Sequence, residues 1–292
     1  MELEIVNTQK GPLPENYHCD CDYCKKFLGV LIRKDGTQYS RLERRKYYGK
    51  IEGKRDGGHI AKTPLHVARW AIQKYSKPGD WVLDPTMGAG TTAVESLMHG
   101  RHVAGMEIEF GHIIQSNIEY VKANGAVGQS YIKLGDAREI GTFLKSIKKK
   151  FSLIVNNPPY SGDESQKEFK NKELGTYNNY LYNKDLNNLA FLKEGQEYWD
   201  TMHSIYSASC EHLVPGGHLV IGVKDMMRNK EPYLLHNYLA QVIESVPKMK
   251  YVGMALLPHY PTTLFMNTYP KRFPDIKIPF YQTITVFKKA LG

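Results

Sequence analysis

Residues 81–92 read WVLDPTMGAGTT, a short apolar run that ends on an aspartate and opens into a glycine-rich turn. Gly88 and Gly90 allow a tight turn and a close approach of a ligand to the backbone, and Thr91 and Thr92 begin a helix. Working outward, the chain alternates. Short apolar runs occur at 81–84, 102–107, 131–134, 151–155, 218–223, 251–257 and 283–288. Helical patterns separate the first six, at roughly 91–99, 110–124, 139–149, 195–213 and 233–245. A further helix starts near residue 64, where Leu65, Ala68, Ile72 and Tyr75 share a face, Thr63 can cap and Pro64 takes the first position. The helix at 195–213 carries Tyr198, Met202, Ile205 and Leu213 as a stripe. Strands alternating with helices predict an α/β fold with a parallel sheet covered on both faces. The last two strands have only a Pro- and aromatic-rich loop between them, which predicts an antiparallel hairpin at the sheet edge.

In such a sheet ligands bind outside the carboxyl ends of the strands, where the winding reverses. The first strand ends on Asp84 before the glycine turn, the second on Glu107, which can accept both hydroxyls of a ribose, and the third leads to Asp136, an acceptor for an adenine amino group. A dinucleotide enzyme would use the same stations. Ala93 is a tolerated last position of its G-x-G-x-x-G pattern, so the glycines do not decide between the two readings.

The fourth strand ends on NNPPY, residues 156–160. Two consecutive prolines donate no N–H and cannot continue a ladder, so the strand stops there. The stop presents the Asn157 side-chain oxygen and the carbonyls near Pro158 beside the aromatic face of Tyr160.

The DPTMGAGTT loop and NNPPY together closely resemble the S-adenosylmethionine-dependent amino-methyltransferases of nucleic acids, which carry Asp-Pro-x-x-Gly-x-Gly-Thr-Thr and (Asn/Asp/Ser)-Pro-Pro-Tyr. The likeness extends to GHIAKTPLHVARWAI upstream of the loop, LVPGGHLVIGVKD in the fifth-strand region and ITVFKK at the closing strand, about residues 59–290 in all. It implies a Rossmann-like class I methyltransferase with a seven-stranded, mostly parallel sheet and an antiparallel last hairpin strand. It also implies S-adenosyl-L-methionine as cofactor, held by Lys62, Thr63, Asp84, Pro85, Thr86, Gly88, Gly90, Thr91, Thr92, Glu107, Asp136 and Asn157. Asn157, Pro158, Pro159 and Tyr160 become the catalytic set. Asn157 and the Pro158 carbonyl would hold the hydrogens of a base amino group, and Tyr160 would stack on the extruded base. The cofactor loop precedes NPPY, so the sheet is not circularly permuted.

Composition is consistent with this. The chain has 292 residues, 41% of them hydrophobic, and a net charge of +9 from 39 basic and 30 acidic side chains. No run of about 18 apolar residues and no signal pattern appears, so a soluble, cytoplasmic protein without a membrane partner is expected. Basic residues crowd segment 1–58, which reads as an extension for substrate recognition before a methyltransferase domain at 59–292. The insertion 161–195, with Tyr177, Tyr180 and Tyr182, and the loop 258–281 are further substrate-gripping candidates. The four cysteines are too few for a disulfide framework. Cys19, Cys21 and Cys24 could ligate zinc, but no second ligand pair is visible in the sequence, and free thiols without a metal are the expectation. DNA leads as substrate, with cytosine N4 ahead of adenine N6. RNA is the alternative, and a protein glutamine amide comes third.

Overall fold

The seven apolar runs all form strands, and helices separate the first six. The computed structural model describes residues 3–6, 22–33, 63–160, 189, 192, 195–228, 231–258 and 281–291. Its strands are β1 (Leu3–Val6), β2 (Phe27–Arg33), β3 (Trp81–Asp84), β4 (His102–Glu107), β5 (Ser130–Leu134), β6 (Phe151–Asn156), β7 (Leu213–Lys224), β8 (Met226–Arg228), β9 (Glu231–Tyr233), β10 (Met249–Pro258) and β11 (Tyr281–Lys289). The helices are α1 (Asp22–Lys25), α2 (Leu65–Tyr75), α3 (Thr91–Met98), α4 (Gly111–Ala123), α5 (Ile140–Ile147), α6 (Gln196–Glu211) and α7 (Leu235–Glu244).

Nine strands make one sheet in the order β1-β2-β10-β11-β7-β6-β3-β4-β5, while β8 and β9 pair separately. From central β3 the chain lays β4 and then β5 to one side, and returns to place β6 and β7 on the other, all parallel. The reversal between β3 and β6 is the crevice where this architecture binds ligands. β11 runs antiparallel between β7 and β10.

The central strands are apolar on both faces, as a doubly covered sheet requires. Val82, Leu153, Val155 and Val220 pack against Val67, Ala68, Ala71 and Ile72 of α2. Leu83, Ile154, Leu219 and Ile221 turn the other way, into a larger core with Tyr198, Met202, Ile205 and Tyr206 of α6 and Leu239 and Ile243 of α7. Burying each such side chain contributes roughly 1.5–3 kcal/mol.

Three expectations change. The hairpin expected at the sheet edge is internal, because β2 pairs in parallel with β10 and β1 lies beyond it. Part of segment 1–58 is therefore sheet, the apolar run FLGVLIR of β2 standing between Lys26 and Lys34. Pro64 rather than Thr63 holds the N-cap of α2, and no side chain caps it. The 161–195 insertion beyond residues 189, 192 and 195, loop 259–280, Lys62, Cys19, Cys21 and most of the N-terminal basic cluster lie outside the described residues.

α2 and α3 are joined by a buried ion pair. Arg69 Nε donates to Glu95 Oε2 at 2.9 Å and Nη2 donates to Oε1 at 3.1 Å, with the Glu95 side chain 0% exposed. His99 Nε2 lies 3.3 Å from the same carboxylate. Arg69→Ala leaves Glu95 buried without its fork-shaped partner and is expected to lower stability by about 3–5 kcal/mol, read as the urea midpoint. The double replacement Arg69→Met with Glu95→Leu should recover most of that loss.

Candidate active site at the switch point of the sheet

Asp84 ends β3 at the reversal and is only 3% exposed. Its Oδ1 accepts from the Thr86 backbone N–H at 3.2 Å and from Asn156 Nδ2 at 3.0 Å, and its Oδ2 accepts from Thr92 Oγ1 at 2.6 Å. One carboxylate thus joins the start of the glycine turn, the first turn of α3 and the end of β6. Asn156 extends the chain of contacts. Its Nδ2 also donates to Thr86 Oγ1 at 2.7 Å, and its Oδ1 accepts from the Tyr206 hydroxyl of α6 at 2.8 Å. Burial pushes the Asp84 carboxyl up to about 7, while the Thr92, Asn156 and Thr86 donors pull it back towards the ionised form. Burial likewise raises the Tyr206 hydroxyl well above its ordinary range, which keeps it a donor.

The turn itself is shaped by Gly88 at φ 54° and Gly90 at φ 80°, both in the left-handed region. A Cβ on Gly90 would also meet Ile114 Cγ2 of α4 at 3.1 Å. Pro85 is buried, and Thr91 and Thr92 are buried at the start of α3. Glu107 closes the turn from the side: its Oε2 accepts from Gly88 N–H at 2.7 Å, and its Oε1 accepts from Glu109 and Phe110 N–H at 3.0 and 3.3 Å. Burial raises the Glu107 carboxyl above the usual carboxylate range. Asp136 lies just past β5, next in the sheet, where Gly135 N–H donates to the Glu107 carbonyl at 2.8 Å. The Asp136 carboxylate accepts from Arg138 N–H at 2.9 Å and Arg138 Nε at 2.8 Å, closing a 3₁₀ turn over Ala137–Glu139. The three acidic stations therefore stand at the ends of three adjacent strands.

NNPPY is pinned from several sides. The Tyr198 hydroxyl donates to the Pro159 carbonyl at 2.7 Å, and Lys224 N–H donates to the Tyr160 hydroxyl at 2.8 Å. In the orientation that satisfies its amide, Asn157 accepts from Gln282 Nε2 at 3.0 Å and donates to the Gly222 and Asn156 carbonyls at 3.1 and 3.2 Å. This close fit needs a glycine on β7: a Cβ on Gly222 would lie 2.7 Å from both the Asn157 amide and Gln282 Nε2. Among the described residues nothing donates to the Pro158 carbonyl. A carboxamide oxygen has two lone pairs, so Asn157 keeps one acceptor site beyond Gln282.

The structure thus gathers Asp84, Thr86, Gly88, Gly90, Thr91, Thr92, Glu107 and Asn157 at one end of the sheet, with Asp136 beside them and Thr63 just before α2. Lys62 is outside the described residues. Asn156, Tyr198, Tyr206, Gly222 and Gln282 are positioning residues to which the sequence reading gave no role, although Asn156 opens NNPPY and Gly222 lies within LVPGGHLVIGVKD. The one signal in the sequence was two tyrosines eight apart on an apolar helix stripe, since a buried tyrosine hydroxyl needs a partner. Among the described residues no three His, Cys, Asp or Glu side chains converge as metal ligands, and no helix is long and apolar enough to cross a membrane.

A family model described as DNA methylase, for N6 and N4 amino-methyltransferases, matches residues 18–117, which include β2, α2, β3, the glycine turn, α3, β4 and part of α4. About a third of the chain is thus similar to this methylase family. Type II methyltransferase M.MthZI of Methanothermobacter thermautotrophicus is 42% identical over 60 residues, covering 20% of this chain and 17% of that protein. Type II methyltransferase M.Cfr9I of Citrobacter freundii is 27% identical over 120 residues, covering 37% of this chain and 40% of that protein. The alignments thus span well under half of either methylase relative. Among solved structures, TrmN from Thermus thermophilus aligns with a TM-score of 0.47 and 15% identity, covering 77% of this chain and 48% of that one.

The Asp84 network carries a pH signature. With a folded value of about 7 against an ordinary 3.8, the folded chain retains a proton that the unfolded chain has released. The stability from this group is therefore complete below about pH 4 and lost as pH rises through 7. The stability gap between the native chain and Asp84→Asn should shrink by up to about 4 kcal/mol from pH 4 to 8, measured by urea unfolding. A gap that does not change with pH would mean that the carboxylate stays ionised in the fold.

Proposed function

We propose that this chain is an S-adenosylmethionine-dependent methyltransferase acting on the exocyclic amino group of a base in nucleic acid, with DNA as the polymer and cytosine N4 as the acceptor. The observation that carries the reading is the placement of two acceptors, the Asn157 amide oxygen and the Pro158 carbonyl, just past the end of the strand next to Asp84 and the glycine turn. The methylase family match and the two type II relatives support DNA. The DPTMGAGTT and ITVFKK segments, which look like those of cytosine N4 enzymes, support the choice of base.

The residues present fit the cofactor. The two left-handed glycines bring backbone to the crevice with no side chain in the way, and the turn opens into the N-terminus of α3. Of the roughly four acceptor sites of a carboxylate, Glu107 uses three on backbone N–H groups and offers the remainder to a hydroxyl. Bound S-adenosylmethionine supplies a methyl group on cationic sulfur.

The protein's part is to prepare the amino nitrogen. A base amino group is a poor nucleophile because its lone pair is delocalised into the ring. Two fixed acceptors hold its two hydrogens and draw the nitrogen towards tetrahedral geometry, freeing the lone pair. Asn157 and Pro158 are held for this before substrate arrives. Gln282 fixes the Asn157 oxygen, and Tyr198 fixes the loop at Pro159. Tyr160 is half-buried with its hydroxyl tied to Lys224 N–H, so its ring has one preset direction in which to stack on an extruded base.

Asn157→Ala should lower methyl transfer by about 100-fold or more with cofactor affinity nearly unchanged, because the acceptor matters most as the nitrogen becomes tetrahedral. Gly88→Val should do the reverse at the other half of the site, abolishing S-adenosylmethionine binding in calorimetry while the melting profile stays cooperative. Nucleoside mass spectrometry after incubation with labelled cofactor reads the substrate directly. Label in N4-methylcytosine of DNA is the expected result, and label confined to RNA or protein would overturn the substrate assignment.

A further inference from the structure

Lys224 is the last residue of β7, which runs parallel beside β6, so it stands one strand over from the acceptor loop. Its backbone N–H holds the Tyr160 hydroxyl at 2.8 Å, a contact that does not use the side chain. Side chains alternate along a strand, and Gly222, two residues earlier, is the position whose missing side chain admits Asn157 and Gln282. The Lys224 side chain therefore leaves the sheet on that same face, directly across from Gln282, its register partner on β11. Gln282 is in turn the donor to the Asn157 oxygen. The lysine stem thus borders the amide on which the acceptor pair depends.

Lys224 is half-buried, and burial pushes its ammonium below the ordinary lysine range. No carboxylate opposes that shift, and among the described residues none pairs with its Nζ. The neighbouring acid, Asp225, alternates to the opposite face. There its Oδ2 accepts from Thr283 Oγ1 at 3.2 Å and lies 2.7 Å from His236 Nδ1. Drawing an amine out of water without an internal acceptor is costly, and the cost is removed when a ligand brings the acceptor. Charged or neutral, the amine keeps N–H donors, so what it calls for is an acceptor on the substrate.

We propose that the Lys224 side chain donates to the O2 carbonyl of the target cytosine and so selects that base over adenine. The inference rests on the reading of the site as a base amino-methyltransferase. In that reading the two amino hydrogens go to Asn157 and the Pro158 carbonyl, which fixes the amino end of the base. The Tyr160 ring runs from the acceptor loop towards the end of β7, because its hydroxyl is tied there. A base stacked on this ring with its amino group at the acceptors extends towards Lys224. Along that edge cytosine carries N3 and then O2, an acceptor. Adenine laid down by its own amino group carries N1 and then C2–H, which accepts nothing. One base meets the lysine donor and the other leaves it half-buried and unmatched, which is the form of discrimination a polar group in a pocket supplies best.

The test compares the full native chain with Lys224→Met, which keeps the stem and the backbone N–H that holds Tyr160 but removes the donor. The substrates are unmethylated genomic DNA of mixed sequence and the same DNA copied with 2-thiocytosine in place of cytosine, whose sulfur is a poor acceptor. Nucleoside mass spectrometry reads the methylated bases. The native chain should methylate cytosine about 10- to 100-fold faster than 2-thiocytosine, and Lys224→Met should lose about that factor on cytosine while 2-thiocytosine hardly changes. The ratio of N6-methyladenine to N4-methylcytosine should rise with it, and S-adenosylmethionine affinity in calorimetry should stay within about twofold. A native chain that treats the two pyrimidines alike overturns the proposal without any variant. So does a variant that keeps the native rate on cytosine, one that falls equally on both pyrimidines with the adenine ratio unmoved, or one whose fall is matched by lost cofactor affinity. Each of these leaves the catalytic reading standing, whereas a native chain that forms no N4-methylcytosine in DNA overturns both.

Discussion

A buried carboxylate at the point where the sheet reverses its winding is the constraint on which the rest of the site depends. Asp84 cannot reach water, so each of its oxygens must be met from within, and the donors that meet them come from three different elements. Removing any donor would leave a buried carboxyl oxygen without a partner, which is costly because the low-dielectric interior returns no solvation. The glycine turn, the first turn of α3 and the end of β6 are consequently held in one arrangement. Burial has raised the carboxyl to about 7, and its three hydrogen bonds are what oppose that rise.

From Asp84 the order passes through Asn156 to α6 and from there to the acceptor loop. Tyr206 and Tyr198 lie about two helical turns apart on one face of α6, one donating to Asn156 and the other to Pro159. A rigid helix therefore spaces the two halves of NNPPY. The final side-chain detail comes from β7 and β11, where the absence of a side chain at Gly222 lets Gln282 and Asn157 meet. The proline pair ends the ladder, and beyond β6 the loop is held by groups from neighbouring elements in place of sheet hydrogen bonds. This explains how a loop can present fixed acceptors.

The N-terminal segment shows how charge can hide structure. Its many lysines and arginines suggest a surface for a polyanion, yet Phe27–Arg33 becomes the eighth strand of the sheet, and Leu31 is buried under α2. The apolar run between Lys26 and Lys34 marks the strand itself, whose partner β10 is more than 200 residues away.

Much of the fold was legible in the sequence because it obeys local chemistry. Short continuous apolar runs and helical apolar patterns placed the seven core strands and the helices between them, and the glycines and prolines marked where strands had to stop. The same rules located Asp84, Glu107, Asp136 and NNPPY at strand ends, since only those ends face the crevice. What the sequence could not show is which buried polar groups meet. That Asn156 binds Asp84 while Asn157 turns to Gln282, that Tyr206 serves the first and Gly222 makes room for the second, and that Cys24 faces His236 from 212 positions away are all long-range matters. A hydrogen bond inside a protein is decided by distance and direction within a few tenths of an ångström. Those are properties of the packed core, and no single segment of the chain contains them.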